Sequence, residues 1–135
     1  MEINRLKKLI ISIFENHKLP KKHSIMCANA ILNAELVGAP SHGVARIYSY
    51  CNRIKKKVIN PRPKIRIKKI SSSITSIDAN NAVGFVGAEI GINQAIKNAQ
   101  KSGIGLVAVK NSGHYGLSGY YAEQAVKKNL ITMIY

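Results

Sequence analysis

Two cysteines, Cys27 and Cys51, are all that the 135-residue chain contains, and they form no CxxC pair. Secreted domains of this size usually rely on more disulfides, so a reducing cytoplasm is the expected compartment. Long apolar runs are missing too. None approaches the ~20 residues that a membrane-spanning helix needs, and the first residues, MEINRLKKLIISIFENHK, carry charges through their apolar positions. Neither a membrane anchor nor a signal peptide is expected. The histidines, at 17, 23, 42 and 114, include no HxxxH pair, so no zinc site is expected. Neither GxGxxG nor a Walker A loop occurs, and there is no internal repeat or low-complexity linker.

Acidic residues are scarce: six, against 21 Lys plus Arg, for a formal charge of +15. That excess raises a nucleic-acid hypothesis, because cations near phosphates release counterions. Against it, the bases are 16 Lys and only 5 Arg, and Lys, Ile and Asn make up 48 of the 135 residues. This is the mark of a compositional drift across the whole chain; a selected phosphate or base-reading surface favours the planar fork of Arg. The apolar share of 46% excludes a disordered polybasic tail, which lacks the surface to offset chain entropy.

What is present is periodic. Ile3, Leu6, Ile10, Ile13 and Phe14 share a helical face that ends before Pro20. Cys27, Ala30, Ile31, Ala34 and Val37 mark a second helix, stopped at Gly38. A third is expected from Ser41, as N-cap after Pro40, to Lys57. Pro61 and Pro63 then forbid helix, and Lys64 to Lys68 alternate with period two, as an edge strand rich in lysine does. Ser71 to Ser73 should turn, Ile74 to Ile77 should form a strand, and Asp78 to Asn81 should form a turn or a helix start. A helix from about Val83 to Ser102, with Val86, Ile90, Ala95, Ile96 and Ala99 inward, precedes a short strand, Leu106 to Val109. A loop, Asn111 to Gly116, a helix from about Leu117 to Asn129 and a final strand-like run, Leu130 to Tyr135, complete the order. The class is mixed α/β, helices first and then strands alternating with helices. Residues 1–60 form a helical region and 61–135 the start of an α/β domain. Ending inside an apolar run, the chain reads as the front part of a longer protein.

Two segments can carry chemistry. On the expected third helix, His42, Arg46 and Tyr50 fall on one polar stripe, within about 80° of arc, opposite Val44, Ile47, Cys51 and Ile54. At a helix N-terminus His42 would stay neutral, with Ser41 as the cap or as the group that orients the ring, and Arg46 could hold a carboxylate. Asn111 to Gly119 is a Gly-rich turn from strand to helix, placed where open α/β sheets bind ligands. Gly84, Gly87 and Gly91 have the spacing of close helix packing, and Cys27 and Cys51 fall on apolar faces as buried thiols.

SHGVARIYSY with its preceding VGAP, and VGAEIGINQAIKNAQKSGIGLVAVKNSGHYGLSGYYAEQA, occur in one chain in this order. The pattern resembles the N-terminal part of the type 2 malate/L-lactate dehydrogenase family, which also includes ureidoglycolate, sulfolactate and cyclic-imine reductases. The resemblance implies a non-Rossmann fold, here incomplete, and a dimer that uses NAD or NADP on a small 2-hydroxy or 2-oxo acid of malate, lactate or ureidoglycolate type. It implies Ser41, His42 and His114 as the catalytic proton-transfer set, with either histidine as the acid/base, and Arg46 and Tyr50 as substrate contacts. It also implies His114, Tyr115, Gly116, Leu117 and Ser118 as dinucleotide contacts, Tyr115 standing where Phe is common. Family members run to more than twice this length, so the partner is a second copy or the missing C-terminal half, and a shortened member should have little activity alone. The rival readings are an inactive fragment and a small basic nucleic-acid-binding domain.

If the basic excess is drift, the purified chain binds duplex DNA weakly, without sequence preference, and releases it by physiological salt. Fluorescence anisotropy with two unrelated duplexes across a salt series checks this; tight binding that survives physiological salt refutes it.

Overall fold

The computed structural model describes residues 2–135. Five α-helices and three strands follow one another: α1 (Ile3–Asn16), α2 (Lys21–Leu36), α3 (Ile47–Lys55), β1 (Arg66–Lys69), β2 (Ile74–Ala82), α4 (Gly84–Ser102), β3 (Leu106–Ser112) and α5 (Ser118–Val126), with two single 3-10 turns, Pro40–His42 and Val44–Arg46, ahead of α3. α1 and α2 form where the apolar spacing placed them, and Pro20 separates them. The sheet order is β1-β2-β3, with β1 antiparallel and β3 parallel to β2. β1 is the lysine-rich edge, all four of its residues exposed.

One core joins the helical region to the sheet. Ile10 and Phe14 of α1, Cys27 and Ile31 of α2, and Tyr50, Cys51 and Ile54 of α3 pack with Ala79, Val83, Phe85 and Val86. A smaller cluster, Ile92, Tyr121 and Ala125, lies between α4 and α5. Both cysteines are free and buried, and burial raises both thiols, Cys27 the more strongly.

Five expectations are corrected. The third helix does not start at Ser41; Gly43 is extended (φ −93°, ψ −142°) between two 3-10 turns, because the Val44 N–H donates to Glu35 Oε1 at 2.6 Å rather than back along a helix. Asp78 to Asn81 neither turn the chain nor start a helix. They lie within β2, where the register to β3 slips between Asp78 and Ala82 and Asn80 and Asn81 take positive φ. Asn tolerates that conformation, and Asn80 Oδ1 accepts from Asn60 Nδ2 and the Lys64 N–H, so the slip is tied down. The inward face of α4 centres on Gly84, Phe85, Val86, Gly87, Gly91, Ile92 and Asn98, while Ile90, Ala95, Ile96 and Ala99 are half-buried. Gly87 and Gly91 pack against β3, at Ser112, Val109 and Val107, and Gly84 against the loop that follows it; none packs against another helix. The final run, Leu130 to Tyr135, is irregular: Leu130 and Ile134 pack on the smaller cluster, whereas Ile131, Met133 and Tyr135 are exposed and pair with no strand among the described residues.

A polar strut links helix to sheet inside the fold. Asn98 (6% exposed) donates from Nδ2 to Thr75 Oγ1 at 3.0 Å and to the Ser73 carbonyl, and accepts from Gln94. Asn98→Ala leaves Thr75, 1% exposed, without its partner and is expected to cost about 1–3 kcal/mol. Adding Thr75→Val should recover part of that loss, because the stranded hydroxyl is removed; urea unfolding of the single and double variants checks it, and additive losses refute it.

Candidate active site

The site is assembled from the 3-10 turns, α3 and the loop after β3. Ser41 Oγ lies 3.0 Å from His42 Nδ1, so Ser41 orients the ring and caps no helix. Arg46 folds back, its Nε donating to the Ser41 carbonyl at 2.9 Å, which leaves the outer guanidinium nitrogens free to pair with an anion. Arg46 is exposed, whereas Tyr50, one turn into α3, is 4% exposed.

From the other side comes His114. Its ring stacks on that of His42 with centroids 5.6 Å apart and planes inclined by 24°. Tyr50 Oη lies 2.8 Å from His114 Nδ1, across 64 residues of sequence. The Gly116 N–H donates to the same Nδ1 at 3.3 Å. The two sequence segments thus meet at one place, and His42, Arg46, Tyr50 and His114 belong to one cluster.

Backbone close packing sets this approach. A Cβ on Gly84, the first residue of α4, would run into the carbonyl oxygens of Gly113 and His114. Gly116 has φ +83°, which glycine adopts without steric cost, and a Cβ there would strike the Phe85 ring. Phe85 also meets the Tyr50 ring edge-on, centroids 4.9 Å apart. At the end of the sheet, Asn111, φ +52°, donates from Nδ2 to Asp78 Oδ1 and pins the loop to β2. That bond, with the Asn80 N–H, holds the Asp78 carboxyl below its usual range.

Three contributors escaped the sequence reading. Glu35 fills the space where a Gly43 side chain would stand and accepts the Val44 N–H, fixing the turn that carries His42. Phe85 buttresses Tyr50 and Gly116, and Gly84 admits the loop. Glu35, near the end of α2, has no local signal; a glycine at the first position of a helix, followed by an aromatic residue, was a signal for the other two.

Electrostatically the cluster is cationic. Partial burial, followed by the charges of Arg46, His42 and Arg53, pulls His114 below its ordinary value and favours the neutral ring. Burial pushes the Tyr50 phenol up to about 12, so it stays protonated at neutral pH. Tyr115 and Tyr121 pack edge-on, and Tyr121 Oη donates to the Tyr115 carbonyl, which anchors the far end of the loop. α5 begins after Leu117 with no side-chain cap; the Tyr120 amide donates to the Leu117 carbonyl at 3.2 Å, and the amides of Ser118 and Gly119 lead the helix. Two concavities of about 370 and 350 Å³ lie elsewhere, lined by residues such as Met26 and Lys97 or Ile96 and Ile131, and by none of Ser41, His42, Arg46 or His114. No group of three His, Cys, Asp or Glu placed to hold a metal ion occurs among the described residues, and none of their helices is long and apolar enough to cross a membrane.

The lowered His114 gives a pH signature. The unfolded chain binds a proton near 6.5 that the folded ring resists, and half-buried His23, lowered by burial and then by Lys22, acts the same way. Stability should therefore rise with pH up to about 6.5 and level above it; urea midpoints between pH 5 and 7.5 check the sign, and a fall over that window refutes it.

The family model for malate/L-lactate dehydrogenase matches residues 1–135. The L-sulfolactate dehydrogenase of Methanocaldococcus jannaschii is 36% identical over 125 residues, covering 93% of this chain and 36% of that protein. The ureidoglycolate dehydrogenase (NAD(+)) of Escherichia coli O157:H7 is 33% identical over 133 residues, 97% of this chain and 38% of that one. Among solved structures, the malate dehydrogenase of Pyrococcus horikoshii superimposes with a TM-score of 0.91 at 34% identity, over 95% of this chain and 37% of its own. The chain therefore spans between a third and two fifths of the length of these relatives, and it belongs to the malate/L-lactate dehydrogenase family.

Proposed function

We propose that the chain carries the proton-transfer and carboxylate-binding part of an NAD- or NADP-dependent dehydrogenase for a small 2-hydroxy or 2-oxo acid. The observation that carries this reading is the meeting of His42 and His114, ring centroids 5.6 Å apart, beside an arginine whose outer nitrogens are free. Reducing a 2-oxo acid requires a cation for the carboxylate and a proton for the oxygen that gains the carbonyl electron pair. Arg46 supplies the first, and one of the two histidines, the Ser41-oriented His42 or His114, supplies the second. The dinucleotide, when bound, supplies the hydride; His114, Tyr115, Gly116, Leu117 and Ser118 would form its nearest protein edge. The substrate is of malate, lactate, sulfolactate or ureidoglycolate type. Two free thiols suit a reducing cytoplasm, and a second copy of the chain or further polypeptide completes the cleft.

Because only one edge of the dinucleotide is held by these residues, the purified 135-residue chain should turn over malate, lactate and ureidoglycolate poorly or not at all. It should nevertheless bind the acid. Adding oxaloacetate is expected to shift the His42 and His114 resonances, and Arg46→Ala to weaken that binding about tenfold or more, the scale of a lost charge-assisted pair. Resonances that ignore oxaloacetate at millimolar concentration, or an Arg46→Ala affinity equal to wild type, refute the reading.

A further inference from the structure

The ring nitrogens of His114 are not equivalent. Two groups point at Nδ1: Tyr50 Oη at 2.8 Å and the Gly116 amide at 3.3 Å. An amide N–H can only donate, so in this arrangement Nδ1 is an acceptor, and the Tyr50 hydroxyl, a phenol at neutral pH, donates to it as well. A neutral imidazole whose Nδ1 accepts must carry its hydrogen on Nε2. The two donors are fixed independently. Tyr50 is held by burial in α3 and by the Phe85 ring, and Gly116 by its left-handed φ and the same ring.

We infer that Tyr50 is a positioning residue: with the Gly116 amide it holds His114 as the Nε2–H tautomer and leaves Nε2–H as the one free donor of that ring. A substrate contact is the weaker role for Tyr50, since its hydroxyl is committed to His114 and its side chain is buried. The inference deepens the functional reading above and rests on it only for the use that Nε2 is put to. In that use, neutral His114 offers a hydrogen bond to a 2-oxo oxygen without waiting to be protonated. The charged groups facing His114 are Arg46, His42 and Arg53; all three act on its charge, and none of them distinguishes its two nitrogens as Tyr50 and Gly116 do.

The chain carries its own reference. His17 Nδ1 lies 2.8 Å from the Ile13 carbonyl oxygen, which can only accept, so His17 must hold its hydrogen on Nδ1, the opposite tautomer. Long-range nitrogen–proton NMR correlation of the 135-residue chain above pH 7.5, with the ring nitrogens assigned, should show His114 as Nε2–H and His17 as Nδ1–H in one spectrum. Tyr50→Phe keeps the ring against Phe85 and removes only the hydroxyl. In that variant the Nδ1 resonance of His114 should move toward that of an unbonded acceptor nitrogen, and its titration midpoint should rise by about half a unit to one unit. His17 should not change.

Uniform replacement of tyrosine by 3-fluorotyrosine gives a second test that preserves shape, in case Tyr50→Phe does not fold. A more acidic phenol donates more strongly, so the His114 midpoint should move down. A wild-type spectrum with His114 as Nδ1–H overturns the inference, as does a His114 Nδ1 resonance and midpoint unmoved by both replacements. None of these readouts needs substrate or dinucleotide. A chain that ignores oxaloacetate but shows the tautomer sinks the functional reading alone, and one that binds oxaloacetate with His114 as Nδ1–H sinks the Tyr50 assignment alone.

Discussion

The close approach of the α4 N-terminus to the loop after β3 is the constraint on which the site depends. Gly84 lies so near the Gly113 and His114 carbonyls that no side chain fits between them, and the next residue, Phe85, inserts its ring between Tyr50 and Gly116. From this one contact the loop acquires its path, His114 its stacking partner and Tyr50 its hydrogen-bond acceptor. The parallel pairing of β2 with β3 sets the loop's origin, and the Asp78–Asn111 bond fixes the point where it leaves the sheet. Rigid backbone packing of this kind holds a side chain such as His114 in one position.

A second constraint is electrostatic. With six acids in the whole chain, the cluster of His42, Arg46, Arg53 and His114 has one acid side chain, Glu35, beside the turn that carries it, and that carboxylate is engaged by the Val44 amide. The cationic charge is therefore left for a ligand to neutralise. The same scarcity of acids that reads as drift across the surface thus leaves this cluster without a free acidic partner of its own.

The fold agrees with relatives more than twice as long, and the agreement is confined to the elements present: the superposition reaches a TM-score of 0.91 while covering 37% of the solved malate dehydrogenase. Leu106 on β3, together with Ile131, Met133 and Tyr135, lies exposed, and the outer edge of β3 pairs with nothing among the described residues. An apolar strand of parallel type is ordinarily covered on both faces. These exposed apolar residues lie in the half of the molecule that begins with β3, the half that also carries His114.

Local physics determined a good deal of this from sequence alone. Apolar spacing placed α1, α2 and α4, prolines separated the helical region from the sheet, and alternating lysines marked the exposed edge strand. The joint SHGxxR and NSxHxG motifs named the family. What the sequence could not decide were contacts in which a distant group overrides a local preference. Ser41 looks like a helix cap, but Glu35 takes the Val44 amide and the helix begins at Ile47 instead. Asp78 to Asn81 read as a turn, yet hydrogen bonds from Asn60 and Lys64 hold Asn80 within a strand. Leu130 to Tyr135 have strand composition, and without a neighbouring strand to accept their hydrogen bonds they remain irregular. The 64-residue reach from Tyr50 to His114 was decided only in three dimensions, because a hydrogen bond is set by where two atoms meet and leaves no periodicity in the chain between them.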